Sequence, residues 1–196
     1  MTRTEEIMQA ALNLFAEKGY DATSIQHITS AVNIKKATFY SHFLSKKELF
    51  VRIMEEQAKL IVDRTQETLD NSKATDLKGL LFDVFDSHIR GNFNRTHLLF
   101  WKRMLLNQGG DDTYLQDEIN VIMYRVNDFM MSSISAAVKK VCGDISQKNR
   151  SCCMLMFLVF LQGYLDWIII TRKPDSDHIK HAWECFWTGL QSVIAK

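Results

Sequence analysis

A stretch near the start of the chain combines basic, hydroxyl and imidazole side chains with a complete lack of acids. Between Asp21 and Glu48 there is no Asp or Glu, whereas the interval contains four lysines and two histidines. Lysine and hydroxyl groups donate hydrogen bonds to phosphate oxygens, and lysine also donates to the acceptor atoms of guanine. The whole chain carries a net charge of only +1, so the indication of an anionic partner is local to this interval.

Two short helices joined by a tight turn are predicted to position these side chains. Thr23 with Gln26 matches a capping box at the start of the first helix. Asn33 suits the turn, because Asn enters the left-handed backbone conformation at low cost. The second helix is predicted over about residues 35–43. We assign the inward positions of this pair to Ile25, Ile28, Ala31, Phe39 and Phe43. Two short helices, a polar turn and an acid-free outer face favour a helix-turn-helix.

This part of the chain resembles the DNA-binding module of the TetR-type transcriptional regulators. The resemblance covers roughly the first quarter of the chain. Many positions match in fixed order: Phe15 to Gly19 (FAEKG), Thr23, Ile28, Ala31, Ile34, Thr38-Phe39-Tyr40, His42-Phe43 and Ser45 to Leu49 (SKKEL). The resemblance implies an all-α protein. Its N-terminal three-helix DNA-binding domain would be joined by a long helix to a larger helical bundle for ligand binding and dimerisation.

Three residues depart from the family pattern. Asn33 stands where the family usually has Gly, and it can take the same backbone role. Ala37 stands where Gly is common, and Lys35 replaces the Ser or Thr that usually caps the second helix. Lys35 cannot cap, but it adds a charge that attracts phosphate.

The candidate DNA contacts fall into two groups. Four residues lie on the predicted outer face of the second helix, where base edges would be met: Lys36, Ala37, Thr38 and Ser41. Five others are predicted to approach phosphates: Thr23, Lys35, Tyr40, His42 and Lys46. For three of them an alternative is open. Instead of contacting phosphate, Tyr40 could be a half-buried aromatic whose hydroxyl is only solvated. His42 could be a packed neighbour of Phe43, and Lys46 could be part of a solvated lysine pair.

The rest of the chain is also predicted to be helical. With 196 residues, one Pro and 8 Gly, breakers are few, and apolar residues recur at helical spacing. The predicted helices span residues 2–18, 45–70, 76–91, 96–107, 112–142, 146–172 and 176–195. Thr2 with Glu5 and Ser45 with Glu48 match capping boxes at the starts of the first two of these helices, and Gly19 is placed to end the first. We divide the chain into a DNA-binding domain at 1–50 and a ligand-binding and dimerisation domain at 51–196. The four cysteines are expected to be reduced core thiols.

Residues 152–170 are apolar on nearly all sides, with Gln162 and Asp166 as the interruptions. A membrane span can be drawn there, but a charged residue at its centre is expensive in lipid. A helix that is apolar all round in a soluble protein is buried on both sides. We therefore expect no membrane, and a homodimer formed through the last two helices, as the resemblance also implies.

The larger domain is rich in aromatic and Met residues, which are common in sites for apolar ligands. The resemblance implies an effector pocket, with His88 and Asp166 as the polar groups expected to face inward. Simple packing of a Met-rich core is the alternative. The candidate pocket residues are Phe82, Phe85, His88, Phe100, Trp101, Met104, Met123, Met130, Tyr164, Asp166 and Trp167.

No catalytic motif, cofactor loop or metal-spaced cluster occurs in the sequence, so we expect neither an enzyme nor a cofactor or metal. His178 and His181 have ligand-compatible spacing but are expected to be a solvated pair. The predicted function is a cytoplasmic repressor that releases a palindromic operator when it binds a small lipophilic or amphipathic effector. The alternatives are a regulator of the same family without such an effector, and a helical enzyme or carrier.

Overall fold

A computed structural model describes residues 1–91, 95–106, 113–142, 147–171 and 176–194. Within these ranges every regular element is an α-helix, which confirms the all-α prediction. The helices are α1 (Arg3–Lys18), α2 (Ile25–Ala31), α3 (Lys36–Tyr40), α4 (Lys46–Asn71), α5 (Leu77–Arg90), α6 (Arg95–Leu106), α7 (Thr113–Cys142), α8 (Gln147–Thr171) and α9 (Ser176–Ile194).

Most helix ends lie within two residues of the prediction, but α3 is shorter than expected. It was predicted over about residues 35–43 and ends at Tyr40. The following N–H groups tighten into a turn, since the His42 N–H bonds the Phe39 carbonyl at 3.0 Å. Lys35 precedes α3 without a side-chain cap, as the sequence indicated.

The caps of α1 agree with the prediction, whereas the cap of α2 lies one residue later. Thr2 and Glu5 form the expected capping box, and Gly19 ends α1 with a φ of 88°. At α2 the box is formed by Ser24 and His27, so the assignment to Thr23 and Gln26 was wrong. The Thr23 hydroxyl instead donates to the Gly19 carbonyl at 2.8 Å.

The buried side of α2 contains Ile28 as predicted and differs from the prediction at Ala31. Ile28 and Thr29 are buried, while Ala31, assigned to the inward face, is exposed. Phe39 and Phe43 are buried as predicted.

The chain divides into two compact units. The first comprises Met1–Leu60 and Asn94–Arg125, and the second Ile61–Phe93 and Val126–Lys196. This division by contacts does not test the functional boundary at residue 50, which stays a prediction.

An aromatic cluster holds the first unit together. Phe50 of α4 meets the rings of Phe15 and Tyr20 edge-on, with centroids 5.2 and 4.8 Å away. It also lies 5.7 Å from Phe100 of α6. Such pairs add about 0.5–1.5 kcal/mol each beyond the area that they bury. The cluster therefore fixes α1, α4 and α6 against one another, and α1 in turn packs against α2.

In the second unit α8 packs between α5 and α9. Phe85 of α5 contacts Tyr164 of α8 at 5.1 Å and stacks with Trp183 of α9 at 5.5 Å between ring centroids. Phe160 stacks on Phe186 at 4.3 Å. These rings bury one side of α8 inside the unit.

One face of α8 remains exposed in the single chain. Leu155, Val159 and Ile170 are 61%, 64% and 78% exposed, while Phe157 and Leu161 are buried. By length and composition alone, Asn149–Thr171 could cross a membrane. The core helix of a soluble protein passes the same test, and α8 already buries its other face.

The cysteines only partly follow the prediction of core thiols. Cys153 is buried, whereas Cys152 and Cys185 are exposed on α8 and α9. The side chain of Cys142 lies outside the described part of the chain.

We expect Asn33→Val to destabilise the protein by about 1–2 kcal/mol, because Asn33 has a φ of 53° and a β-branched residue is strained there. Asn33→Gly is the matched control, since Gly takes this conformation freely. Urea unfolding followed by circular dichroism measures both. Equal stability of the two variants would contradict the role given to this turn.

Candidate nucleic-acid interface

The outer face of α3 presents Lys36 and Ala37 to solvent. Both are exposed, while Thr38 is half-buried. Ser41 is exposed, but its hydroxyl donates to the Thr38 carbonyl at 2.7 Å, so its oxygen remains as an acceptor only. The structure thus brings all four predicted base-reading residues to one surface. Lys36 has the most accessible donor among them.

Two of the predicted phosphate contacts are well placed. Lys35 is exposed at the start of α3. Tyr40 is 52% exposed, and its ring packs edge-on against buried Phe39 with the centroids 5.5 Å apart. The alternative, a half-buried aromatic whose hydroxyl is only solvated, therefore stays open beside the phosphate prediction.

His42 is tied to the first helix. Its Nδ1 lies 3.0 Å from the Thr4 hydroxyl, and the ring is half-buried. This contact orients the imidazole while leaving its other nitrogen for a phosphate oxygen. The phosphate role of His42 stays a prediction. Its contact with Thr4 was not predicted, because the two residues are far apart in the sequence.

Thr23 is placed differently from the prediction. Its side chain is 0% exposed, and its hydroxyl lies 2.8 Å from the Gly19 carbonyl and 3.3 Å from that of Leu14. Because the hydroxyl is buried and used within the fold, it cannot donate to a phosphate. The assignment of the Thr23 side chain to phosphate contact was wrong, and its role is to brace the turn between α1 and α2.

Lys46 shares in the same brace. Its Nζ donates to the Tyr20 carbonyl at 2.7 Å and the Thr23 carbonyl at 2.9 Å, and it lies 4.0 Å from the centroid of the Tyr20 ring. Burial lowers the pKa of Lys46, and the charge of Asp21 acts in the opposite direction. An ammonium has three N–H groups, so one remains for a phosphate.

The N-terminus of α4 is held as the sequence indicated, with one difference. The Ser45 hydroxyl accepts the Glu48 N–H at 3.0 Å, which is half of the predicted capping box. The Glu48 carboxylate accepts from the Leu44 N–H at 2.6 Å rather than from Ser45. Lys46 and Lys47 thus stand in a fixed first turn, where free amides and lysines together suit an anion.

Two contacts between the later helices and the N-terminal helices were not predicted from the sequence. Lys47 lies 4.2 Å from the centroid of the exposed Tyr114 ring on α7. Arg103 of α6 donates to the last carbonyls of α1, from Nε to Ala16 at 2.7 Å and from a terminal nitrogen to Glu17 at 2.6 Å. A cation at a helix C-terminus is a favourable arrangement, but the partner helices are distant in sequence.

The candidate pocket residues divide between the two units. The first unit contains Phe100, Trp101, Met104 and Met123, and the second contains Phe82, Phe85, His88, Met130, Tyr164, Asp166 and Trp167. Most are buried in their own unit, and Phe82, Met123, Asp166 and Trp167 are half-buried. Their assignment to one pocket stays a prediction.

Of the two polar groups expected to face inward, His88 does so and Asp166 does not. His88 is buried, its Nδ1–H donates to the Val84 carbonyl at 2.9 Å, and Nε2 lies 3.3 Å from the buried Thr65 hydroxyl. Burial lowers the pKa of His88 to about 4; the bond to Val84 opposes this, and the charge of Arg64 adds to it. Asp166 is half-buried and accepts from exposed Gln162 at 3.3 Å.

Residues 7–53 match the family described as "Bacterial regulatory proteins, tetR family". This range contains α2, the Asn33 turn, α3 and the first turn of α4, which are the elements that form the interface. Over these residues the chain matches the TetR family, and the curated relatives and solved structures support a TetR-type regulator. Proteins of this family are DNA-binding regulators rather than enzymes, and they typically form dimers.

Among the curated relatives, the chain is 33% identical over 91 residues to the biofilm operon icaADBC HTH-type negative transcriptional regulator IcaR of Staphylococcus epidermidis. The match covers 44% of this chain and 49% of the relative, so it spans about half of that protein's length.

Solved structures resemble the chain over nearly all of its length. A transcriptional regulator from Rhodococcus sp. Rha1 has a TM-score of 0.76 at 14% identity and covers 97% of both chains. FadR from Bacillus subtilis, solved in complex with stearoyl-CoA, has a TM-score of 0.70 at 16% identity and also covers 97% of both chains. At these identities the likeness concerns the fold.

Proposed function

We propose that this TetR-family protein is a repressor that binds a palindromic operator as a homodimer and releases it on binding a small amphipathic effector. The observation that carries the DNA-binding step is the outer face of α3, where Lys36, Ala37 and Ser41 are exposed between the phosphate candidates Lys35 and Tyr40. A protein with this role acts inside the cell, and we place it in the cytoplasm.

The experiment that tests the proposal is to determine the DNA sequence that the purified protein protects. We expect an inverted repeat with half-sites spaced by roughly 34–36 Å or a multiple of it, because two copies of α3 would enter successive major grooves. The promoter next to the protein's own coding region is the first fragment to test. Protection of an unpaired single site, or of no sequence in particular, would contradict the proposal.

We expect Lys36→Ala to lower affinity for the preferred site by about 1–3 kcal/mol while leaving affinity for random DNA nearly unchanged. The reason is that the exposed Lys36 ammonium is placed to donate to a base rather than to the backbone. Competition binding with preferred and scrambled duplexes measures the difference. An equal loss on both duplexes would make Lys36 a phosphate contact instead.

The two other lysines separate a phosphate role from a structural one. Operator affinity should fall steeply with salt, and Lys35→Ala should flatten the log–log slope by about one unit without changing stability. Lys46→Ala should flatten it by a similar amount and also lower the free energy of unfolding, because two carbonyls lose their donor. An unchanged slope would remove the lysine concerned from the phosphate contacts.

The dimer is supported by the exposed face of α8. Leu155, Val159 and Ile170 project from a helix whose other side is already buried, and a second copy of the same face covers them symmetrically. Val159→Glu should therefore give a monomer that binds the operator weakly. Val121→Glu, at an exposed apolar position of α7, is the matched control for sedimentation and DNA binding. A dimeric Val159→Glu variant would contradict this interface.

The effector is supported by an unmet hydrogen bond in the first unit. Trp101 is buried, and within the described part of the chain no acceptor lies against its indole N–H. A buried donor without a partner costs about 1–3 kcal/mol, which an oxygen-bearing ligand would recover. FadR, which shares the fold, was solved with stearoyl-CoA, so amphipathic acyl compounds are the first effectors to test.

Release would follow from different affinities of the effector for two arrangements of the dimer. In the proposed mechanism the ligand tilts α4 and changes the distance between the two α3 helices. Titration of acyl-CoA compounds against the operator complex should displace the DNA. Trp101→Phe should lower the affinity for the effector without lowering the affinity for the operator. A compound that binds tightly and leaves DNA affinity unchanged would contradict the mechanism.

A further inference from the structure

Two potential metal ligands lie side by side on the exposed face of α9. His181 and Cys185 are one helical turn apart and both are exposed. The Cys185 Sγ lies 3.8 Å from the His181 Nε2. In a tetrahedral zinc site, bond lengths of about 2.3 Å to sulfur and 2.0–2.1 Å to nitrogen separate neighbouring ligands by about 3.6 Å. The two atoms already stand at nearly this separation.

One chain supplies only half of such a site. In the part of the chain that the structure describes, no three His, Cys, Asp or Glu side chains converge on one point. His178, on the same side of α9, is held elsewhere: its ring stacks on Trp167 at 4.2 Å and its Nδ1 lies 3.1 Å from the Tyr164 hydroxyl. A stable tetrahedral site needs two further ligands.

A second copy of α9 can supply them. In a twofold dimer the same patch faces itself, so a residue near the axis meets its own counterpart. Around Cys185 the exposed side of α9 is made of small residues, namely Thr188, Gly189 and Ser192. A Cβ added at Gly189 would meet no atom within 4 Å. This side of the helix therefore leaves room for a close crossing of two α9 helices.

We propose that His181 and Cys185 of both subunits form a tetrahedral Cys₂His₂ zinc site on the dimer axis, which rests on the proposed homodimer. Binding one Zn²⁺ converts two thiols to thiolates and releases two protons, while both imidazoles bind as neutral groups. The metal would link the two subunits directly, and dimer affinity would depend on available zinc.

The test is to titrate the reduced, metal-free full-length protein with Zn²⁺ alone. We expect one zinc ion per two chains. Replacing Zn²⁺ by Co²⁺ should give the visible bands of a tetrahedral site, with charge-transfer absorption corresponding to two thiolates. One zinc per chain, or an octahedral Co²⁺ spectrum, would overturn the proposal.

Single substitutions identify the ligands. Cys185→Ser and His181→Asn should each lower the affinity for Zn²⁺ by more than about 100-fold. This exceeds the loss seen when only a residue that hydrogen-bonds a metal ligand is removed. Cys152→Ser, at the other exposed cysteine, and His178→Asn are matched controls that should keep the site. Retention of tight binding by Cys185→Ser would overturn the assignment.

Sedimentation of the metal-free Cys185→Ser variant separates this proposal from the dimer itself. A variant that remains dimeric but no longer binds zinc supports both ideas. A wild-type dimer that binds no zinc overturns the metal site and leaves the homodimer standing.

Discussion

Phe50→Ala is expected to lower the free energy of unfolding by about 3–5 kcal/mol, the range for removing a large side chain from a packed core. Phe50 is fully buried and touches the rings of Phe15, Tyr20 and Phe100. The substitution leaves a cavity where three helices meet. Since whole domains are stable by only about 5–15 kcal/mol in general, this loss is a large part of the total.

Chemical denaturation followed by circular dichroism measures this loss. Leu44→Ala, at an apolar residue that is 84% exposed only a few positions earlier, should change stability by less than about 0.5 kcal/mol. Phe50→Leu, which keeps more of the volume, should lie between the two. If Phe50→Ala behaved like Leu44→Ala, the aromatic cluster would not be the core of the first unit.

Acidification is expected to weaken the fold through His88. Burial lowers the pKa of His88 to about 4 in the folded protein, against an ordinary value of 6.5. Between these values the unfolded chain binds a proton that the folded chain does not, so stability falls as the pH falls from 6.5 towards 4. The loss should reach about 2 kcal/mol at pH 5 and about 3 kcal/mol at pH 4. Above pH 6.5 this group makes no difference.

His88→Gln isolates this effect, because the amide can retain a hydrogen bond but does not titrate. Urea unfolding of both proteins at pH 7 and pH 5 gives two differences in the free energy of unfolding. The difference for the wild type should exceed that for the variant by about 2 kcal/mol. Parallel pH dependence in the two proteins would show that His88 is not held neutral inside.

The helices could be predicted from the sequence because local signals specify them. Capping residues such as Thr2 and Glu5, the terminating Gly19 and the left-handed Asn33 act within a few residues of the chain, and the structure confirms each of them. The errors arose where two local signals competed. Thr23 and Ser24 can both cap α2, and only the contact of the Thr23 hydroxyl with Gly19 decides between them.

The exposed residues of the candidate site could be predicted from the sequence, but the contacts that hold them in place could not. The exposure of Lys36 and Tyr40 follows from helical periodicity. The contacts of Lys46 with the carbonyls of Tyr20 and Thr23 do not, since backbone acceptors leave no trace in residue types. Asp166 was predicted to face inward, and the structure leaves it half-buried beside exposed Gln162, because periodicity alone does not separate a core face from a partly exposed one.

The grip of Arg103 on the end of α1 has a mechanical consequence. The Arg103 guanidinium donates to two carbonyls of α1 at 2.7 and 2.6 Å. Because both hydrogen bonds are short and charge-assisted, moving α6 towards or away from α1 would strain them. A displacement of α6 would therefore act on the end of α1, and α1 packs against α2, which in turn contacts α3. Replacing this rigid fork with a flexible lysine would leave the helices in place and loosen the linkage between them.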